Sequence, residues 1–224
     1  MKNLFKICFV TMILISFSCN QDSLNIPESS LGDDITLAKA VNSKMTVSVF
    51  SPLVDVEGTS TLHRNNKKIT VNFKTNGLIQ GHAVTLWWVI WNNPENCTIP
   101  FQCSDVDFAQ ADQVNVEILY AAGHVVGFNG QGNFSASLME NDNSGSVNDL
   151  MGLPIAGGLL DAQKAEVHLV IRTHGPKIPG EVNEQISSYV GGCDDPFLYA
   201  PFTFYPDAIG ECADIIAAVH PAIQ

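Results

Sequence analysis

Ten consecutive residues, His82–Trp91 (HAVTLWWVIW), contain no Asp, Glu, Lys or Arg and are apolar at both odd and even positions. Side chains of a strand alternate between its two faces, so a strand of this sequence must be covered on both sides. The run is about half the length of a membrane-spanning helix, and it fits the central strand of a doubly covered sheet. Its neighbours alternate instead. In KITVNFKT, residues 68–75, Ile69, Val71 and Phe73 interleave with Thr70, Asn72 and Lys74, the pattern of one buried and one wet face. Asn65-Asn66 separates that run from GTSTLHR and signals a hairpin. Further strand-like runs are KMTVSVFSPLV, QVNVEILYAAGHVV, GNFSASLMEND, AEVHLVIRTH and CADIIAAVHPAI. DVDFAQADQ reads as a helical turn, and GSVNDLMGLPIAGGLLDAQK as a long connection with room for a short helix. Many short Gly-bounded strands and few helices predict an all-β chain, an antiparallel β-sandwich. A closed barrel is the alternative, because periodicity does not distinguish the two.

The N-terminus predicts where this sandwich resides. MKNLFKICFVTMILISFSCNQD has a basic start at Lys2 and Lys6, a short apolar core and small serines before Cys19. That is the layout of a secretory signal. It is also similar to a bacterial lipoprotein signal, in which cleavage precedes a cysteine that is then acylated. Residues 1–18 are therefore read as signal peptide, Cys19 as the lipidation site and polar residues 19–42 as a flexible tether. Residues 43–224 remain as a single domain, long enough for a sizeable core. The expected location is the cell envelope outside the cytoplasm, with the membrane as partner through the lipid. Of the 11 basic residues two leave with the signal, and all 23 acidic ones stay, for a net charge of −14. So acidic a surface excludes nucleic acid as a partner.

Four cysteines remain after Cys8 and Cys19 are set aside. Outside the cytoplasm an even set predicts disulfides. Cys97–Cys103 and Cys193–Cys212 are favoured, since each pair closes a local loop rich in Pro and Asp. No pair has zinc-knuckle spacing.

HGPKIPGEVNEQI, through His174, Pro179, Gly180, Glu181, Val182, Gln185 and Ile186, resembles the closing motif of the CHRD domain. GTSTL and KITVNFKTNGLIQGHAVTLWW are similar to its earlier half, so the resemblance covers roughly residues 45–190. It implies a sandwich related to superoxide dismutase or the immunoglobulin type, without an established metal site, in an extracellular binding module. One departure is plain: the His-x-His pair of the middle CHRD strand is absent, because Ala83 and Val84 follow His82.

Candidate functional residues are few. Glu166, His168, Val170, Arg172 and His174 share one face of their strand, and alternation predicts that this face is wet. His168 and His174 stand about 20 Å apart at 3.3 Å per residue, too far to hold one metal ion together. His174 precedes Gly175-Pro176, where the strand is expected to turn, and Arg172 is a candidate anion contact. Trp87 and Trp91 share a face. They form either a stacking platform for a glycan or part of a core. These four, Arg172, His174, Trp87 and Trp91, are the ligand-binding candidates, for a small-molecule, glycan or protein ligand. The competing reading is a copper or zinc enzyme built on His82, His124, His168 and His174, with His82 and His124 each opening an apolar run after a glycine. Without it, no cofactor is implied. ENDNSG, residues 140–145, offers oxygen ligands but lacks EF-hand spacing, so a plain turn is expected rather than calcium. No nucleophile elbow, phosphate loop, dinucleotide fingerprint or His-Glu-x-x-His is present. The leading expectation is a non-enzymatic binding protein.

Overall fold

The computed structural model describes residues 42–197 and 202–224. The signal, Cys19 and all but the last residue of the tether lie outside the described residues. Eight strands follow in chain order: β1 (Ser43–Ser48), β2 (Gly58–Arg64), β3 (Lys68–Thr75), β4 (His82–Trp91), β5 (Val116–Val125), β6 (Gly132–Met139), β7 (Glu166–Pro176) and β8 (Ala213–His220). Each coincides with a run picked out by its hydrophobic pattern. They form two four-stranded antiparallel sheets, ordered β1-β2-β3-β6 and β5-β4-β7-β8, that pack face to face as a β-sandwich. Neither closes into a barrel.

The inter-sheet core follows from the two sequence patterns. β3 buries Ile69, Val71 and Phe73 and turns Asn72 and Lys74 outward. β4, hydrogen-bonded between β5 and β7, buries all ten of its residues. Its even positions Leu86, Trp88 and Ile90 face the first sheet together with Leu169 and Ile171 of β7 and Ile216 of β8. Full burial of side chains this size stabilises by roughly 1.5–3 kcal/mol each. Asn65 closes the β2–β3 hairpin by donating to the Lys68 carbonyl, 2.9 Å away.

The opposite face of the second sheet departs from expectation. In register, Thr85, Trp87, Val89 and Trp91 of β4 stand beside Arg172, Val170, His168 and Glu166 of β7. The alternation of β7 predicts water on this face. Instead Glu166 and His174 are fully buried and Arg172 is 1 % exposed. The reason lies in the connections. The β4–β5, β6–β7 and β7–β8 loops fold back over the face and bring Phe108, Met151, Leu153 and Tyr189 onto Trp87, Val89 and Trp91 as a second apolar cluster.

Buried polar side chains fasten these loops to the sheet. Glu117 of β5 accepts from Ser146 Oγ and from the backbone N–H groups of Ala156 (2.9 Å) and Gly158 (3.0 Å). Asn148 accepts from Ile118 N and donates to the Val116 and Pro154 carbonyls. So pegged, residues 145–164 form a long connection of turns, and the room left for a short helix is not used. DVDFAQADQ does form helical turns, a 3-10 segment Asp105–Gln110 running into α1 (Ala111–Val114). Both expected disulfides, Cys97–Cys103 and Cys193–Cys212, are present and lie in the covering loops. Loops of these lengths stabilise by roughly 2–4 kcal/mol per bridge.

Candidate ligand cavity

Where the three loops meet the sheet they leave a cavity of about 380 Å³. Trp87, Val89 and Trp91 of β4, Ile118 of β5, and His168 and Val170 of β7 line its base. Ser104, Asp105 and Phe108 come from the first loop, and Met151 and Leu153 from the second. Tyr189, Pro196, Phe197 and Phe202 come from the third, and Asp214 from β8. The volume lies within the range of small-molecule sites, as does the combination of apolar walls with a few polar groups.

The two tryptophans have separate surroundings. Trp87 meets Tyr120 and Tyr189 edge to face, with centroids 5.7 and 5.1 Å apart. Trp91 packs on Phe108 at 5.1 Å and on His168 at 5.8 Å. Neither exposes more than 2 % of its surface, so they form cavity wall and offer no open platform for a sugar ring. The Trp91 indole N–H is buried with no hydrogen-bond partner, and an orphaned buried donor in a native site requires a cause.

His168 is held from behind. Its Nε2 lies 2.7 Å from Glu166 Oε1, which also accepts from Cys103 N at 2.9 Å. The other Glu166 oxygen is buried without a partner.

Arg172 and His174 do not line the cavity; they anchor the loop that does. Arg172 donates to the Tyr189 carbonyl (3.1 Å), the Pro196 carbonyl (2.6 Å) and Asp214 Oδ1 (3.1 Å). Its guanidinium lies over the Tyr189 ring, 4.1 Å from the centroid. With a further bond from Nη1 to the Tyr189 hydroxyl (3.3 Å), four of its five N–H groups are engaged within the fold. Burial raises the Asp214 pKa, and Arg172 opposes the shift. His174 belongs to a directed chain. Trp87 Nε1 donates to Thr85 Oγ1 (2.7 Å), Thr85 Oγ1 donates to His174 Nε2 (2.9 Å), and His174 Nδ1 donates to the Gly191 carbonyl (2.8 Å). An indole only donates and a carbonyl only accepts, so the directions and the histidine tautomer are fixed. Burial, with Arg172 nearby, lowers the His174 pKa to about 3, so the ring is neutral.

β7 does not stop at His174. It continues through Gly175 and Pro176 as an irregularity in the pairing with β4. Gly175 has φ 68°, and a Cβ there would stand 2.5 Å from the Ala208 carbonyl. Beyond it the chain folds into one turn ending in α2 (Val182–Gln185). Gln185 staples this turn, donating to the His174 and Pro176 carbonyls and accepting from Ile178 N.

The four histidines considered for a metal occupy four environments. His82 contacts Thr173 Oγ1 and lies 3.7 Å from Asp207. His124 sits near the end of β5 rather than at a strand start, its ring tilted against Phe134 at 4.5 Å. Burial lowers both pKa values. His168 and His174 are engaged as described. Among the described residues, His174, Cys193 and Cys212 form a cluster of metal-ligating types, but the two sulfurs are already bonded to each other. In ENDNSG, Asp142 accepts from its own turn at Ser144 and Glu140 from Ala162 N.

Sequence reasoning missed Phe108, Tyr189, Asp214, Glu117 and Asn148. Aromatic residues in loops carry no periodic signal. Glu117, between Val116 and Ile118 in an otherwise apolar run, was the visible sign of a buried peg.

Together these features define an all-β sandwich with a loop-covered cavity on one outer sheet face. Comparison of the chain with protein-family models, curated proteins and solved structures finds no match.

Proposed function

We propose that this chain is a non-enzymatic, lipid-anchored binding protein of the cell envelope, and that the cavity over Trp87 and Trp91 is its ligand site. The observation that carries the reading is that cavity: about 380 Å³, aromatic-walled and braced by two disulfide loops. Cavities of this kind bind small molecules by apolar burial, with a few polar groups fixing orientation. The N-terminal signal, Cys19 and the likeness to CHRD modules support an exported location. The disulfides agree with an oxidising compartment.

A neutral apolar fluorophore, N-phenyl-1-naphthylamine, tests the site. Wild-type protein is expected to enhance its emission saturably, with one site per chain. Val170→Trp and Met151→Trp each fill the cavity from a different side and should abolish the signal while circular dichroism stays native. Undiminished binding in both folded variants would place the site elsewhere. Anchoring is tested in cells by Cys19→Ala, which should move the protein from the membrane fraction to the soluble one. An unchanged distribution would remove the lipid from the account.

A further inference from the structure

Resting on that reading, we propose that the cavity takes a small organic cation, an ammonium or quaternary ammonium group on an apolar body. Two independent features converge on this chemistry. The first is the wall. Trp87, Trp91, Phe108, Tyr189, Phe197 and Phe202 all line the cavity. Aromatic faces attract cations, most strongly where water is excluded. The second is charge. Among the described lining residues the ionisable groups besides Tyr189 are Asp105, His168 and Asp214, with no Lys or Arg. The nearest guanidinium, Arg172, is withdrawn behind Tyr189 and spent on Asp214 and two carbonyls. That pairing leaves Asp105, exposed in the first loop and without an ion pair among the described residues, as uncompensated negative charge at the cavity. Behind His168 the second Glu166 oxygen is a buried acceptor with no donor. Beside the uncharged donors Ser104 and Trp91, the lining carboxylates Asp105 and Asp214 give a cation a charge complement that an anion lacks. The excess of acidic over basic residues across the chain, 23 against 11, adds a long-range attraction for cations.

The test is isothermal titration calorimetry on the full mature chain at low salt, where surface charge is least screened. Three probes of nearly equal shape are compared: (4-hydroxyphenyl)trimethylammonium, its uncharged isostere 4-tert-butylphenol, and the anion 4-tert-butylbenzoate. The cation is expected to bind at least about fivefold more tightly than the phenol, and the benzoate most weakly. Asp105→Asn, an exposed loop change, should weaken the cation about threefold and the phenol by less, so that the preference for the cation narrows. Equal or tighter binding of the phenol or the benzoate would overturn the cation assignment and leave the cavity as an apolar site. Binding of none of the three would defeat the cavity reading itself and the cation with it. Glycerophosphocholine separates a free cation from a lipid headgroup. It carries the same trimethylammonium beside a phosphate and is expected to bind more weakly than the simple cation. Tighter binding would overturn the assignment to a free cation.

Discussion

The two faces of the β5-β4-β7-β8 sheet are built from the same strands and are both buried, yet by different means. The inner face meets another sheet. Leu86, Trp88, Ile90, Leu169 and Ile171 interlock with Ile69, Val71 and Phe73, and all are 1 % exposed or less. The outer face meets loops. Irregular chain cannot tile a sheet surface with ridges of its own, so its backbone is tied down by Glu117, Asn148 and Arg172, and the fit leaves a cavity. Apolar burial is non-directional and closes space. Hydrogen-bonded anchoring is directional and holds a loop at a distance. The outer face therefore keeps room for a ligand, whereas these inner-face side chains pack directly on one another.

The strongest way to break this contrast is to remove an anchor. Arg172→Met should cost about 3–5 kcal/mol, because it leaves Asp214 as an unpaired, nearly buried charge. Denaturant unfolding of Arg172→Met/Asp214→Leu should then recover much of that loss. A double variant as unstable as the single would show that Arg172 acts through packing on Tyr189 and not through charge.

Acid provides a milder test. His174 is neutral in the fold, with a pKa of about 3 against 6.5 when unfolded. Below pH 6.5 the unfolded chain takes up a proton that the folded chain refuses. Stability therefore falls as pH drops from 6.5 toward 3, by up to about 1.4 kcal/mol per pH unit for this group. His220, lowered to about 4 by burial, Arg64 and His168, acts in the same direction. The raised pKa of Asp214 works against them. Unfolding of His174→Gln between pH 7 and pH 4.5 should show a shallower slope than wild type. An unchanged slope would mean that His174 does not sense the burial described here.

What the sequence revealed divides along the same line. The strands, the inner core, the double coverage of His82–Trp91 and both disulfides were legible, because periodicity and local cysteine spacing encode them. The outer face was not. Glu166, His168, Arg172 and His174 alternate with apolar residues as a wet face would. Only their distant partners, among them Cys103, 63 residues from Glu166, and Asp214, 42 residues from Arg172, turn them into loop anchors. Trp87 and Trp91 were placed correctly on one face. Phe108, Tyr189 and Phe197 reach that face through loops whose path no pattern records.

The chain's three tryptophans report on the two faces directly: Trp87 and Trp91 line the cavity, and Trp88 lies in the inter-sheet core. Their indole N–H resonances, followed by two-dimensional NMR during titration with N-phenyl-1-naphthylamine, test the central claim. The account predicts that the Trp87 and Trp91 signals move saturably and together while the Trp88 signal stays in place. Movement of Trp88 alone, or saturable binding with all three signals unmoved, would contradict it.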